Sequence, residues 1–362
     1  MCAAAPYNYN CRNHYRRLSS PAPREGLERK VVAALDLSAS KGPIVVERAV
    51  VLERVGDLRA QLDAARAQGR TVGFVPTMGA FHDGHRSLMR AARARHDVVV
   101  VSLFVNPLQF GPAEDLDRYP KDLAGDVAGA AAEGVDIVFA PPVEEMYPGT
   151  DFSPDGAPPL TTVSVAGLTG GLCGSARPGH FDGVATVVAK LFGIVGPSTA
   201  YFGKKDAQQL AVVRRLVADL CLPVEIVGCP LVREADGMAM SSRNRNLSPA
   251  EREAATVIHR GLQTGADVVM AGERDAGKLR RVVANVLTTE PLVRLEYAEV
   301  VAADTLSPLE VLDGEVLVAV AARVGDVRLI DNMTVRVDGR GAVVDLGVNV
   351  APTGEGGLCA AR

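Results

Sequence analysis

No two cysteines in this 362-residue chain are spaced Cys-x-x-Cys. The six that occur, at positions 2, 11, 173, 221, 229 and 359, suit neither a disulfide framework nor a zinc site. A reduced protein with inert thiols is the expectation. No apolar run is long enough to span a bilayer, so no membrane association is expected. The first residues lack the apolar stretch of a secretory signal. They contain Arg and few acids up to Glu25, a pattern also compatible with a transit peptide, but a disordered tail on a cytoplasmic protein is the reading preferred here. An excess of positive charge is missing too. The formal net charge of -4 weighs against a nucleic-acid partner, whose phosphates call for a basic surface. Lysine is scarce, with seven in all, yet two of them are adjacent at Lys204 and Lys205.

Hydrophobic residues make up 48% of the chain and charged ones 23%, which fits a globular protein long enough for two domains. Residues 1–45 are polar and without sustained period and are read as a disordered extension. Residues 51–69 carry apolar positions at helical spacing, closed by Gly69. Strands and helices then alternate. Thr71–Val75, Asp97–Phe104, Val135–Phe139, Thr199–Phe202 and Val224–Val227 read as buried strands. Gly84–Arg95, Asp122–Glu133, Val184–Val195 and Ala207–Leu220 read as helices. Continuous apolar strands separated by helices predict an α/β fold, a doubly wound parallel sheet covered on both faces. Such sheets bind ligands at the carboxyl ends of their strands.

After residue 231 the texture changes to a polar loop, a helix opened by Ser248-Pro249, another over Asp275–Thr288, and strands at Leu295–Val301, Glu315–Ala322 and Val327–Ile330. The division expected is a Rossmann-like domain over 46–231, a smaller α+β lid domain over 232–340 and a flexible tail over 341–362. No internal repeat is visible.

Chemistry concentrates at predicted strand ends. Pro76-Thr77-Met78-Gly79-Ala80-Phe81-His82-Asp83-Gly84-His85 follows a strand and opens a helix. A helix N-terminus offers free N–H groups and a positive dipole to phosphate, and two imidazoles three residues apart can donate hydrogen bonds to it. A zinc pair would want a third ligand, and none is evident. Met240-Ser241-Ser242-Arg243, with Arg245 close by, is a polar, cationic loop suited to a triphosphate. Gly203-Lys204-Lys205-Asp206 precedes a helix, where lysine is electrostatically unfavourable, so two in succession point to function. Asn106 and Gln109, at another strand end, can hydrogen-bond a hydroxylated or carboxylated substrate.

His-x-Gly-His paired with a Ser-Ser-Arg loop resembles the nucleotidyltransferase superfamily and the class I aminoacyl-tRNA synthetases. Five segments in order narrow the resemblance. They are P-T-M-G-A-x-H-x-G-H from Pro76, F-V-N-P-x-Q-F from Phe104, R-P-x-H-F-x-G-V from Arg177, G-x-K-D-x-Q-Q from Gly203 and R-E-x-D-G-x-A-M-S-S-R-N from Arg233. Over roughly residues 50–335 the chain resembles the pantoate–β-alanine ligases. The resemblance implies an ATP-dependent ligase, with pantoate, β-alanine and ATP as substrates, a pantoyl adenylate as intermediate, Mg2+ on the phosphates and a homodimer as the assembly. It implies ATP contacts from Met78 to His85, with His85 as proton donor and His82 beside it. Further ATP contacts would come from Gly203 to Asp206, with Lys205 on the α-phosphate, from the Val232 backbone on the adenine, and from Met240, Ser241, Ser242 and Arg243. Gln109 and Gln209 would bind pantoate, Gln109 also β-alanine. Glu114, Asp115 and Asp126 are the acids considered for an assisting role. The chain departs from the family pattern at Lys204, where an acid is usual, and at Ala207, where an aromatic is common. The alternatives weighed are another His-x-Gly-His transferase, which would need no amine, and a silent binding protein that kept the fold. An aminoacyl-tRNA synthetase is disfavoured by length and charge.

Overall fold

The computed structural model describes residues 49–111, 116, 119, 122–153 and 156–350. The expected extension at 1–45, together with Glu114, Asp115 and residues 351–362, lies outside them.

β1 (Val50–Leu52) leads through α1 (Val55–Ala67) to β2 (Val72–Thr77). α2 (Asp83–Arg93), β3 (Val98–Leu103), α3 (Leu123–Ala132) and β4 (Ile137–Phe139) follow. Two single turns, α4 (Val143–Met146) and α5 (Cys173–Ala176), precede the long α6 (His180–Val195). β5 (Ser198–Gly203), α7 (Ala207–Asp219) and β6 (Val224–Cys229) complete a six-stranded sheet. Its order is β1-β4-β3-β2-β5-β6 and every pairing is parallel.

Valines 98–101 are fully or nearly fully buried, as a strand covered on both faces requires. α6 covers one face with Phe181, Val184, Val188, Leu191 and Phe192, all in the core. Burying each such side chain contributes about 1.5–3 kcal/mol.

The rest of the chain builds a smaller antiparallel sheet. β7 (Val232–Arg233) is followed by α8 (Pro249–Ala255), α9 (Val257–Met270) and α10 (Ala276–Leu287). Ser248 caps α8 through the Glu251 amide, with Pro249 in the first turn. β8 (Val293–Ala302), β9 (Gly314–Val324), β10 (Val327–Asp338) and β11 (Gly341–Asp345) pair in the order β11-β10-β9-β8. β12 (Val348–Asn349) returns to pair with β7 in parallel.

Two sequence expectations change. The helix expected over 51–69 begins only at Val55, because Val50–Leu52 pairs with β4 as an edge strand. An apolar run at the start of a helical pattern reads equally as either. The tail expected from 341 is strand as far as Asn349: β11 pairs with β10, and β12 with β7. Cys173 and Cys221 are free thiols. Among the described residues no helix is long and apolar enough to cross a membrane.

Candidate active site

Strand order places the site. From β2 the chain winds outward through β3 to β4, then crosses back to β5 on β2's other side. The crevice at such a reversal, beyond the carboxyl ends of β2 and β5, is where a doubly wound sheet binds ligands. β2 ends at Thr77 and releases residues 78–82 into it; β5 ends at Gly203 and releases the turn Lys204–Asp206.

The turn after β2 is held from below by Asp126 of α3. Its two carboxylate oxygens accept the amides of Ala80 and Phe81 at 2.8 and 2.9 Å. Asp126 is therefore a brace, with both oxygens engaged, and not an acid free to meet a metal. Asp83 opens α2 immediately after His82. The His82 and His85 rings stack with centroids 4.1 Å apart, and Phe81 leans on His85 at 5.7 Å. The His82 amide donates to His85 Nδ1 at 3.4 Å, which leaves the His85 proton on Nε2. Burial, with the Lys205 and Arg245 cations near, pushes His82 down to about 4. Burial, His82 and Lys205 push His85 down to about 3, against Asp206. Both imidazoles are thus neutral at pH 7, and His85 offers a hydrogen bond where a proton donor was expected. His82 Nδ1 is buried without a hydrogen-bond partner among the described residues, a polar atom that a ligand would satisfy. Gly84 is needed because a Cβ there would lie 2.8 Å from His82 Nδ1 and Cε1.

Asn106 corrects an expectation. It is 1% exposed. Its amide donates to Gly183 O and Gln109 Oε1, and its oxygen accepts from Tyr147 Oη at 2.7 Å. It orients Gln109 and does not face the crevice. Gln109 Nε2 reaches Met78 Sδ at 2.8 Å, joining the ends of β2 and β3. The Arg177–Val184 segment, to which no role was given from sequence, locks the same place. His180 Nδ1 donates to Gln109 O at 2.8 Å and its Nε2 accepts from Arg177 at 2.9 Å.

Gln208 and Gln209 are adjacent but differ in kind. Gln208 is buried; it accepts from Cys173 N and donates to Leu168 O and Gly171 O. Gln209 lines the crevice. The two lysines diverge as well. Lys204 turns away to Asp345, Nζ to Oδ2 2.8 Å, so of its expected ATP contacts only the main chain remains near the site. Lys205 makes no ion pair among the described residues and faces the crevice. Asn332 Nδ2 donates to the carbonyls of both, at 3.0 and 2.8 Å.

An open cleft of about 570 Å3 is lined by Arg177, His180, Lys205, Asp206, Gln209 and Arg243, among others. A second space of about 360 Å3 shares Lys205 and Arg243 and reaches Ser241, Asn244 and His259. The two histidines line neither, but Lys205, which lines both, is a cation that depresses each of them. Met240 closes the Ser-Ser-Arg loop onto α2 by accepting the Gly84 amide on Sδ at 3.2 Å. Ser241 Oγ accepts the Arg243 amide, Ser242 starts a single turn to Asn246, and buried Asn244 ties the loop to Glu234 and Ala239 O. Beneath it Arg233 and Asp331 form a buried two-bonded ion pair at 2.7 and 3.0 Å. The Val232 carbonyl accepts from Met240 N at 2.9 Å. Among the described residues no three His, Cys, Asp or Glu side chains gather as a metal site.

Comparison with known proteins matches the family model Pantoate-beta-alanine ligase over residues 50–334. The pantothenate synthetase of Heliobacterium modesticaldum is 52% identical over 287 residues, 79% of this chain and 99% of its own. That of Moorella thermoacetica is 52% identical over 288 residues, 80% of this chain and 99% of its own. Among solved structures, the pantothenate synthetase of Thermus thermophilus is 48% identical with a TM-score of 0.71, covering 78% of this chain and 98% of that one. The Francisella tularensis pantoate-β-alanine ligase, complexed with β-γ ATP and β-alanine, is 32% identical with a TM-score of 0.62, covering 78% and 97%.

Proposed function

The chain belongs to the pantoate–β-alanine ligase family, and on that premise we propose how its residues condense pantoate with β-alanine at the expense of ATP. The observation that carries the reading is the meeting of two strand ends. Two neutral stacked imidazoles at one helix N-terminus face the cation Lys205 from the neighbouring strand end.

ATP lies along this crevice, its phosphates on the α2 N-terminus, His82, His85 and the loop Met240–Arg243. The Francisella tularensis relative, complexed with β-γ ATP and β-alanine, supports ATP as a substrate. Adenine pairs with the backbone at Val232. Gln109 and Gln209 hold pantoate with its carboxylate in line with the α-phosphorus. That carboxylate attacks, pyrophosphate leaves, and Lys205 balances the charge gathering on the α-phosphate. The His85 Nε2–H bonds an oxygen of the departing pyrophosphate. The free amine of β-alanine then attacks the acyl carbon and AMP departs with the former carboxylate oxygen. The described residues offer no carboxylate cluster for a Mg2+ and Asp126 is already engaged, so a Mg2+ would be held by the triphosphate and water. Such an ion would supply neutralisation of the phosphate charge.

Residues 46–231 would form the ATP and pantoate domain and 232–340 a lid carrying the Ser-Ser-Arg loop. A cytoplasmic homodimer completes the reading. AMP release from ATP, with pantoate and β-alanine supplied singly and together, tests it. Release that requires both, with pantothenate formed, is expected. Pyrophosphate release dependent on a nucleotide co-substrate would move the chain to another transferase class.

A further inference from the structure

The family match stops at residue 334, and the described residues continue to 350. These last residues return to the site at two points. β12 lies parallel along β7, with Val348 beside Val232, the Val348 amide on Leu231 O and the Val350 amide on Arg233 O. Between β11 and β12 the chain turns at Asp345. One oxygen of Asp345 accepts the Gly347 amide at 2.9 Å, and the other accepts Lys204 Nζ at 2.8 Å. The turn is built for that place. Gly347 has φ +90°, and a Cβ there would lie 2.3 Å from Leu231 O. Leu346 O accepts from Arg233 Nε at 2.5 Å.

We propose that Asp345 is a positioning residue for the ATP site, contributed by a C-terminal strap outside the family-matching segment. The proposal rests on the reading that the Lys204–Asp206 turn meets ATP. Two adjacent ammonium groups on a single turn would otherwise compete for one phosphate. Asp345 takes Lys204 out of that competition, while Asn332 fixes both lysine carbonyls. Of the two lysines only Lys205 is left to face the crevice, its main chain held by Asn332. Holding it there before ATP arrives lowers the ordering cost of binding. Because Lys204 and Asp345 remain about a third exposed, the effect is modest.

The test uses full-length Asp345→Asn, Lys204→Asp, Asp345→Lys and the charge-exchanged double variant Lys204→Asp/Asp345→Lys. β,γ-imido-ATP binding is read by calorimetry, alongside KM and kcat in AMP release. Asp345→Asn is expected to raise the Kd for the analogue and the KM for ATP about fivefold, with kcat within about twofold. Asp345→Lys is expected to do worse, and the double variant to return both values to within about twofold of the parent. An unchanged Kd in Asp345→Asn, with or without a lower melting temperature, would make the contact purely structural and overturn the proposal. So would a double variant as impaired as the sum of its singles. Analogue binding needs neither acid nor amine. A parent chain that binds the analogue but forms no pantothenate would therefore sink the ligase reading alone.

Discussion

The Gly84 amide, in the first turn of α2, donates to Met240 Sδ at 3.2 Å across a sequence separation of 156 residues. A thioether is a weak acceptor, and this one occupies an N–H that a phosphate oxygen would take with more energy. Met240→Leu keeps the bulk and removes the acceptor, so ATP no longer displaces a partner. About twofold tighter binding of β,γ-imido-ATP is expected, from about 0.5 kcal/mol, the low end for one neutral hydrogen bond. Calorimetry on the purified variant reads this directly.

Proton uptake should accompany ATP binding. Both site histidines are depressed, to about 4 and about 3, and remain neutral in the free chain at pH 6–7. Phosphate charge favours the imidazolium and raises both values. At pH 6, titrations in buffers of different ionisation enthalpy should show protons taken up, and His85→Ala should show fewer. The same depression sets a stability window. The unfolded chain protonates these groups near 6.5 and the folded chain only near 4 and 3, so the unfolded state holds more protons between. Stability contributed by the pair is full above 6.5 and falls as pH drops through that window. Urea unfolding at pH 7 and 5 should show a smaller loss in the His82→Ala/His85→Ala double variant than in the parent.

Lys205→Ala should lower kcat by about 10²–10³, the usual cost of removing one preorganised group facing transition-state charge. Unchanged far-ultraviolet circular dichroism would separate this from misfolding.

The adjacent glutamines should divide cleanly. Gln208→Leu leaves the carbonyls of Leu168 and Gly171 and the Cys173 amide without their partner, and should lower stability by about 1–3 kcal/mol. Gln209→Leu should leave the melting temperature unchanged and raise the KM for pantoate. Denaturant curves and steady-state kinetics on the same two proteins check both halves.

Asp331→Ala strands the buried Arg233 guanidinium beneath the Ser-Ser-Arg loop. A loss of about 3–5 kcal/mol is expected, measurable by urea unfolding.

These contrasts mark where sequence reading succeeds. The strands at 72–77, 98–103 and 198–203 were legible because both faces are covered and the runs are largely apolar. Their ends placed His82, His85 and Lys205 together through a rule of topology. Whether an amide faces the crevice or the core was not legible. Gln208 and Gln209 are adjacent and alike in composition, and only packing from the 165–174 segment separates them. Arg177 and His180 were visible as part of a recurring segment, but their hold on Gln109 O depends on contacts across about 70 positions. The strap at 341–350 was hidden for a further reason. β11 and β12 are short, and the partner of β12 is the two-residue β7, far earlier in the chain.

The most direct test of the adenylate route follows oxygen. Pantoate labelled with 18O in both carboxylate positions is turned over with ATP and β-alanine, and the products are weighed by mass spectrometry. The adenylate route predicts one 18O in the phosphoryl group of AMP and one in the amide of pantothenate. Label in inorganic phosphate, with ADP formed, would mean activation through an acyl phosphate and would contradict it.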